Sequence, residues 1–139
     1  MDNWRLVWRQ GIAPVLNVLE LAALERALLT DDPALQQGAT VQCNWRIVAA
    51  CALTYGAWKT EGLKTGSSVC DAFNCICFEA DMRLDPCNSV CEFLHWFDET
   101  PRAEMRAAML PEVSRELARR AVTMERSGPS PRVAAPAAP

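Results

Sequence analysis

The chain lacks most of the features by which a sequence shows its chemistry. It holds a single histidine, His95, in 139 residues, so every base-dependent triad would have to rely on that one imidazole. Neither a Gly-x-Ser-x-Gly elbow nor a His-Glu-x-x-His helix occurs. No apolar run approaches the roughly 18 to 20 residues that span a bilayer; the longest, near Ile47 to Leu53, has the length of a core helix. There is no surplus of positive charge either: 14 Lys+Arg stand against 17 Asp+Glu. That balance gives no footprint for neutralising a phosphate backbone and argues against nucleic acid as a partner. The first residues, Met-Asp-Asn-Trp-Arg-Leu, contain no basic region leading into an apolar stretch, so no secretory leader is read and a cytoplasmic location is expected. In that compartment the seven cysteines, at 43, 51, 70, 75, 77, 87 and 91, are expected as reduced thiols, and their odd number suits a disulfide framework badly.

What is present is an average globular composition, half apolar and about a fifth charged. A chain of this length buries roughly two-thirds of its unfolded surface, so the core needs no disulfide or metal staple. Helical signals then follow one another. Asp2 or Asn3 can cap a short helix to about Gly11, with Trp4, Trp8 and Ile12 on one face, and Pro14 ends it. Asn17 with Glu20 matches a capping box, opening a helix over 18–29 whose Leu21, Leu24 and Leu28 form a buried stripe while Glu20, Glu25 and Arg26 stay solvated. Asp32-Pro33 offers the start of one short helix that Gly38 can stop.

From Asn44 to about Trp58, Trp45, Val48, Ala49, Ala52 and Tyr55 recur at helical spacing and predict a central helix. Lys59 to Ser67 reads as the longest loop. Its Gly62 and Gly66 enclose three residues instead of four and no lysine follows, which excludes a phosphate loop. Ser68 with Asp71 opens a helix to about residue 84, Asp85-Pro86 starts another holding Val90, Leu94 and Phe97, and Thr100-Pro101 starts the last, to about Arg126. Pro111 should kink that last helix or divide it in two. Residues 127–139, with four prolines and no aromatic, have too little apolar bulk to offset their ordering entropy and are expected as a disordered tail. The fold class that results is all-α, an irregular bundle of five to seven helices over residues 1–126.

The sharpest chemical pattern is Cys87, Cys91 and His95, spaced to line one helical stripe. If the helices flanking Asp85-Pro86 form a hairpin, Cys75 and Cys77 come opposite Cys91 and His95. Three thiolates and an imidazole would suit zinc in tetrahedral geometry. Against that, Cys-x-Cys and Cys-x-x-x-Cys are not the Cys-x-x-Cys knuckles of zinc modules, and free cysteine is often a plain core residue. A thiol redox role requires an exposed, stabilised thiolate, as near the helix starts at Cys70 and Cys87. Glu92 and His95 make one Glu-x-x-His, but a di-iron bundle needs further ligands and there is no second histidine.

Five tryptophans are many for this length, and Trp4 and Trp8 on the terminal helix could anchor a partner, although such a pair more often closes over its own core. Arg102, Arg106, Arg115, Arg119 and Arg120 alternate with Glu104, Glu112 and Glu116, as on a solvated, salt-bridged face. The stretch Cys77-Phe-Glu-Ala-Asp-Met-Arg-Leu, with Trp96-Phe-Asp-Glu-Thr-Pro-Arg after it, resembles small bacterial helical proteins that have no assigned function. That resemblance implies a bacterial cytoplasmic origin and no catalytic residue. With every enzyme signature absent and no cofactor required, the sequence favours a non-enzymatic helical module that binds another protein. The alternative is a zinc-binding or thiol redox protein centred on Cys75, Cys77, Cys91 and His95.

Overall fold

The computed structural model describes residues 1–127, and the expected tail lies outside those residues except for Ser127, which closes the last helix. Among the described residues there are six α-helices, one π-helical turn and one two-stranded sheet, so the all-α class holds.

Helix α1, Asn3–Val7, starts from an extended Asp2 and runs into a π-helical turn over Trp8–Ile12, where the Ala13 N–H bonds the Trp8 carbonyl at 2.8 Å. Trp4, Val7, Trp8 and Ile12 all face the core. Helix α2, Val18–Thr30, opens on the expected capping box: the Glu20 N–H donates to Asn17 Oδ1 at 2.8 Å and the Asn17 N–H to Glu20 Oε1 at 2.9 Å. Leu21, Leu24 and Leu28 are buried as the spacing required. Glu20 is not solvated, however. It is only 7% exposed, because its reciprocal cap tucks it beneath the start of α3.

After α2 the chain departs from the sequence expectation twice. Asp32-Pro33 does not start a helix; Asp32 Oδ1 accepts from the Ala34 N–H in a turn, and Leu35 then bridges Ala50. The predicted central helix over 44–58 is instead an antiparallel hairpin, β1 (Val41–Asn44) and β2 (Arg46–Ala50), followed by α3 (Tyr55–Glu61). The first four residues of β2 alternate, with Arg46 and Val48 outward and Ile47 and Ala49 inward, before Ala50 is buried as well, and the β-branched Ile47 and Val48 suit a pleated surface. The backbone partners are distant: Ala50 donates to Ala34, Gln36 donates to Ala50, and Cys51 donates to Thr40. No local helical periodicity records such pairings.

Gly56 explains how α3 sits so close to α2. A Cβ there would lie 2.7 Å from the Glu20 backbone, so only glycine fits. Helix α4 (Gly66–Arg83) begins at an extended Thr65 whose hydroxyl accepts from the Ser68 N–H. Helix α5 (Val90–Glu99) begins later than expected, on a Ser89–Glu92 capping box, while Asp85-Pro86 only makes the preceding turn. Helix α6 (Arg102–Ser127) is continuous through Pro111, which lies with Ala107 on the solvent side, where the unbonded carbonyl is open to water. Phe93, Phe97, Met105, Met109 and Val113 complete the core around Trp8. Arg9 anchors α6 to the π turn through two bonds to Glu112, at 2.6 and 2.8 Å, and Arg102 reaches the Asp32 and Leu35 carbonyls. No helix of the described residues is long and apolar enough to cross a membrane.

Candidate functional site

Helices α4 and α5 do neighbour one another, tied where the Val90 N–H donates to Asp81 Oδ1 at 2.9 Å. The four proposed ligands nevertheless fall on different faces. Residues two apart on a helix are separated by about 200° of rotation, so Cys75 and Cys77 cannot face one partner together. Cys77 is half-buried and packs on the core, whereas Cys75 is exposed beside Glu20, Ala57 and Glu79. Cys91 and His95 share the outer face of α5, and Cys87 precedes that helix instead of lying on it. Among the described residues no group of three or more His, Cys, Asp or Glu side chains is arranged to hold a metal ion.

The thiol chemistry follows from burial. Cys77 is pushed up to about 12, first by burial and then by the neighbouring Cys51, Asp81 and Cys91. Burial also raises the fully enclosed Cys51. A thiol held protonated is a poor nucleophile. Glu92, the first member of Glu-x-x-His, is used in capping α5.

Trp4 and Trp8 are not free anchors. They are 6% and 1% exposed. Trp4 stacks on Trp96 with centroids 3.6 Å apart and planes 4° from parallel, and Trp8 stacks on Phe93 at 5.7 Å. These pairs join the terminal helix to α5, and they account for the aromatic spacing by core packing.

The exposed tryptophan is a different one. Trp45, read from its spacing as a core position, stands at the turn of the hairpin and is 94% exposed. A bulge between Gln42 and Cys43 alters the register just below the tip, and pairing continues to Asn44 and Arg46 on either side of it. The hairpin rests on the first turn of α4, where the Cys43 sulfur lies 2.9 Å from the place a Gly66 Cβ would occupy. Strand and helix can approach this closely because position 66 has no side chain. Between them lies a cleft of about 300 Å³ lined by Cys43, Asn44, Trp45, Arg46, Lys64, Thr65 and Gly66.

The lining of this cleft is cationic, with Arg46 and Lys64 and no acid, although among the described residues Arg26, Lys59, Arg83 and Arg115 also lack a carboxylate within 4.0 Å. Arg5, Arg9, Arg102, Arg106, Arg119 and Arg120 each hold a carboxylate partner. Among the described residues, neither Arg46 nor Lys64 has a carboxylate oxygen within 4.0 Å, and no acidic residue lines their cleft. The sequence did carry one signal for this site: Trp45 and Arg46 immediately precede the β-branched pair Ile47-Val48, with Val41 behind them.

No family model, no curated protein and no solved structure matches the chain. No residue's role is therefore carried over from a relative.

Proposed function

We propose that the protein is a non-enzymatic interaction module that binds another protein through the tip of its β-hairpin. The observation that carries this reading is Trp45, nearly bare at the end of a hairpin whose base is fixed in the domain. A tryptophan brings more apolar area to an interface than almost any other side chain, at low conformational cost, and is enriched among the residues that dominate binding energy. Trp4 and Trp8 are buried in the core, whereas Trp45 is left 94% exposed. Apolar neighbours extend the surface: Val48, on the same outward side of β2, is also exposed.

The alternative, a zinc or redox centre at Cys75, Cys77, Cys91 and His95, has less support, since among the described residues no three such side chains are grouped to hold a metal ion and burial makes the Cys77 thiol a poor redox nucleophile. The interaction reading is tested by panning a library of short random peptides against the full chain and against Trp45→Ala. Enrichment that depends on Trp45, with unchanged circular dichroism in the variant, is the expected result. Enrichment indifferent to Trp45, or none at all, would remove the reading.

A further inference from the structure

Resting on that reading, we infer that the hairpin tip takes an acidic segment: a partner chain presenting aspartate or glutamate side chains next to an apolar residue. Two observations independent of the tryptophan's exposure lead here. First, Arg46 and Lys64 come from different elements, β2 and the loop before α4, yet line one cleft with Trp45. Second, neither has a carboxylate partner among the described residues and no acidic side chain lines their cleft, in a chain whose net charge is −3. Unpaired cations beside a bare indole form a composite surface. The ring offers a flat apolar face, the guanidinium can hold a carboxylate in two parallel bonds, and the ammonium supplies a compact second charge.

The same features decide between classes of partner. Stacking on an aromatic with basic side chains alongside is also how single-stranded nucleic acid is held. Such binding depends on many phosphate contacts tracking the strand, and here two cations face the cleft on a molecule of negative net charge. A peptide carboxylate requires no more than these two. Of the polar remainder of the lining, the Asn44 side chain supplies an amide suited to the partner's backbone, while the Thr65 hydroxyl is engaged with Ser68 in capping α4.

The test uses the full chain and the peptides selected by panning. Their sequences are read for Asp and Glu content against the unselected library. The best peptide is then synthesised alongside an analogue in which every Asp becomes Asn and every Glu becomes Gln, and both are titrated with the tryptophan fluorescence as readout. Acid-rich selection, an affinity loss of about fivefold to tenfold in the neutral analogue, and a matching loss in the Arg46→Ala/Lys64→Ala chain are expected, in line with two exposed charge pairs. Both losses should shrink in high salt. Trp45-dependent peptides without acidic bias would overturn this inference and leave the interaction reading standing. An absence of Trp45-dependent peptides would remove both. Tighter binding of a thymidine oligonucleotide than of any selected peptide would overturn the choice of partner in favour of nucleic acid. Arg46 and Lys64 are exposed, so their replacement tests binding without testing the core.

Discussion

Two tryptophans that look alike in the sequence should behave oppositely when truncated. Trp8 is 1% exposed and stacks on Phe93, within a core that also holds Phe97, Met105 and Met109. A buried tryptophan removes about 150 to 250 Å² from water, which at ~25 cal/mol/Å² is about 4 to 6 kcal/mol as an upper figure. Measured truncations of this kind cost about 3 to 5 kcal/mol, including the cavity left behind. Against a total stability of about 5 to 15 kcal/mol, Trp8→Ala should leave the domain marginal, lowering Tm by about 10 to 20 °C. Trp45 is 94% exposed, and the same area rule assigns its covered fraction about 0.3 kcal/mol. Trp45→Ala should therefore leave the urea midpoint and the m-value unchanged, while removing the fluorescence component most accessible to acrylamide. Urea unfolding followed by circular dichroism measures both variants. A cost above about 1 kcal/mol for Trp45→Ala, or a silent Trp8→Ala, would show that the hairpin tip is packed and the terminal helix is not, refuting the reasoning.

Further outcomes follow from the same contacts. The hydrogen bonds from Arg9 hold Glu112 below the usual glutamate range; burial pushes Glu116 up, but the bonds from Arg119 and Arg120 outweigh it and leave it lowered. Asp31, through Arg102, and Asp32, through the Tyr55 hydroxyl, are lowered as well. Folded values below unfolded ones mean stability present above pH ~4 and lost as the pH falls through the folded values. Glu20 has the opposite sign: its pKa is raised chiefly by burial, so its contribution is full in acid and is lost as the pH rises through its folded value. Four lowered groups against one raised one predict a net loss of stability in acid, and urea midpoints measured from neutral pH downward should show it, less steeply in Glu112→Gln. Gly56→Ala drives a Cβ to 2.7 Å from the Glu20 backbone, where no side-chain rotation relieves it, and should cost at least the ~1 to 3 kcal/mol of ordinary overpacking; a neutral effect on Tm would contradict the α2–α3 approach. With a disulfide-exchange reagent, Cys43, Cys70, Cys75, Cys87 and Cys91 should react promptly, Cys77 slowly, and Cys51 only on unfolding. Prompt reaction of Cys51 would place it outside the core.

The parts of the fold that were legible in the sequence are those that local chemistry decides. Asn17 and Glu20 cap α2 in the sequence as they do in space, and the leucine stripe behind them needs only the helical repeat. The start of α5 was written as plainly in Ser89-Val-Cys-Glu92, but Asp85-Pro86 offers a competing start four residues earlier and serves as a turn instead. The hairpin was hidden for a different reason. Trp45, Val48, Ala49, Ala52 and Tyr55 fit a helical repeat, and the four-residue alternation of Arg46 to Ala49 is too short to compete until Ala34, Gln36 and Thr40 supply the strand's partners. The candidate site inherited that error, because a tryptophan assigned to a helix stripe is assigned to the core. For the cysteines, counting turns of a supposed hairpin brought Cys75 and Cys77 to one level but ignored the rotation between them, and rotation is what separates them. The arginines of α6 looked like one solvated ladder; Arg119 and Arg120 do pair with Glu116, while Glu112 turns inward to Arg9 and Arg102 caps the loop carbonyls of Asp32 and Leu35.

The most direct test of the hairpin tip as a binding surface is calorimetric titration of one selected peptide into the wild-type chain and into Trp45→Ala at matched concentration and salt. The account predicts that truncating Trp45 weakens binding by at least about thirtyfold, the loss of a residue that dominates an interface, with Tm unchanged. An equal Kd for the two chains would contradict it.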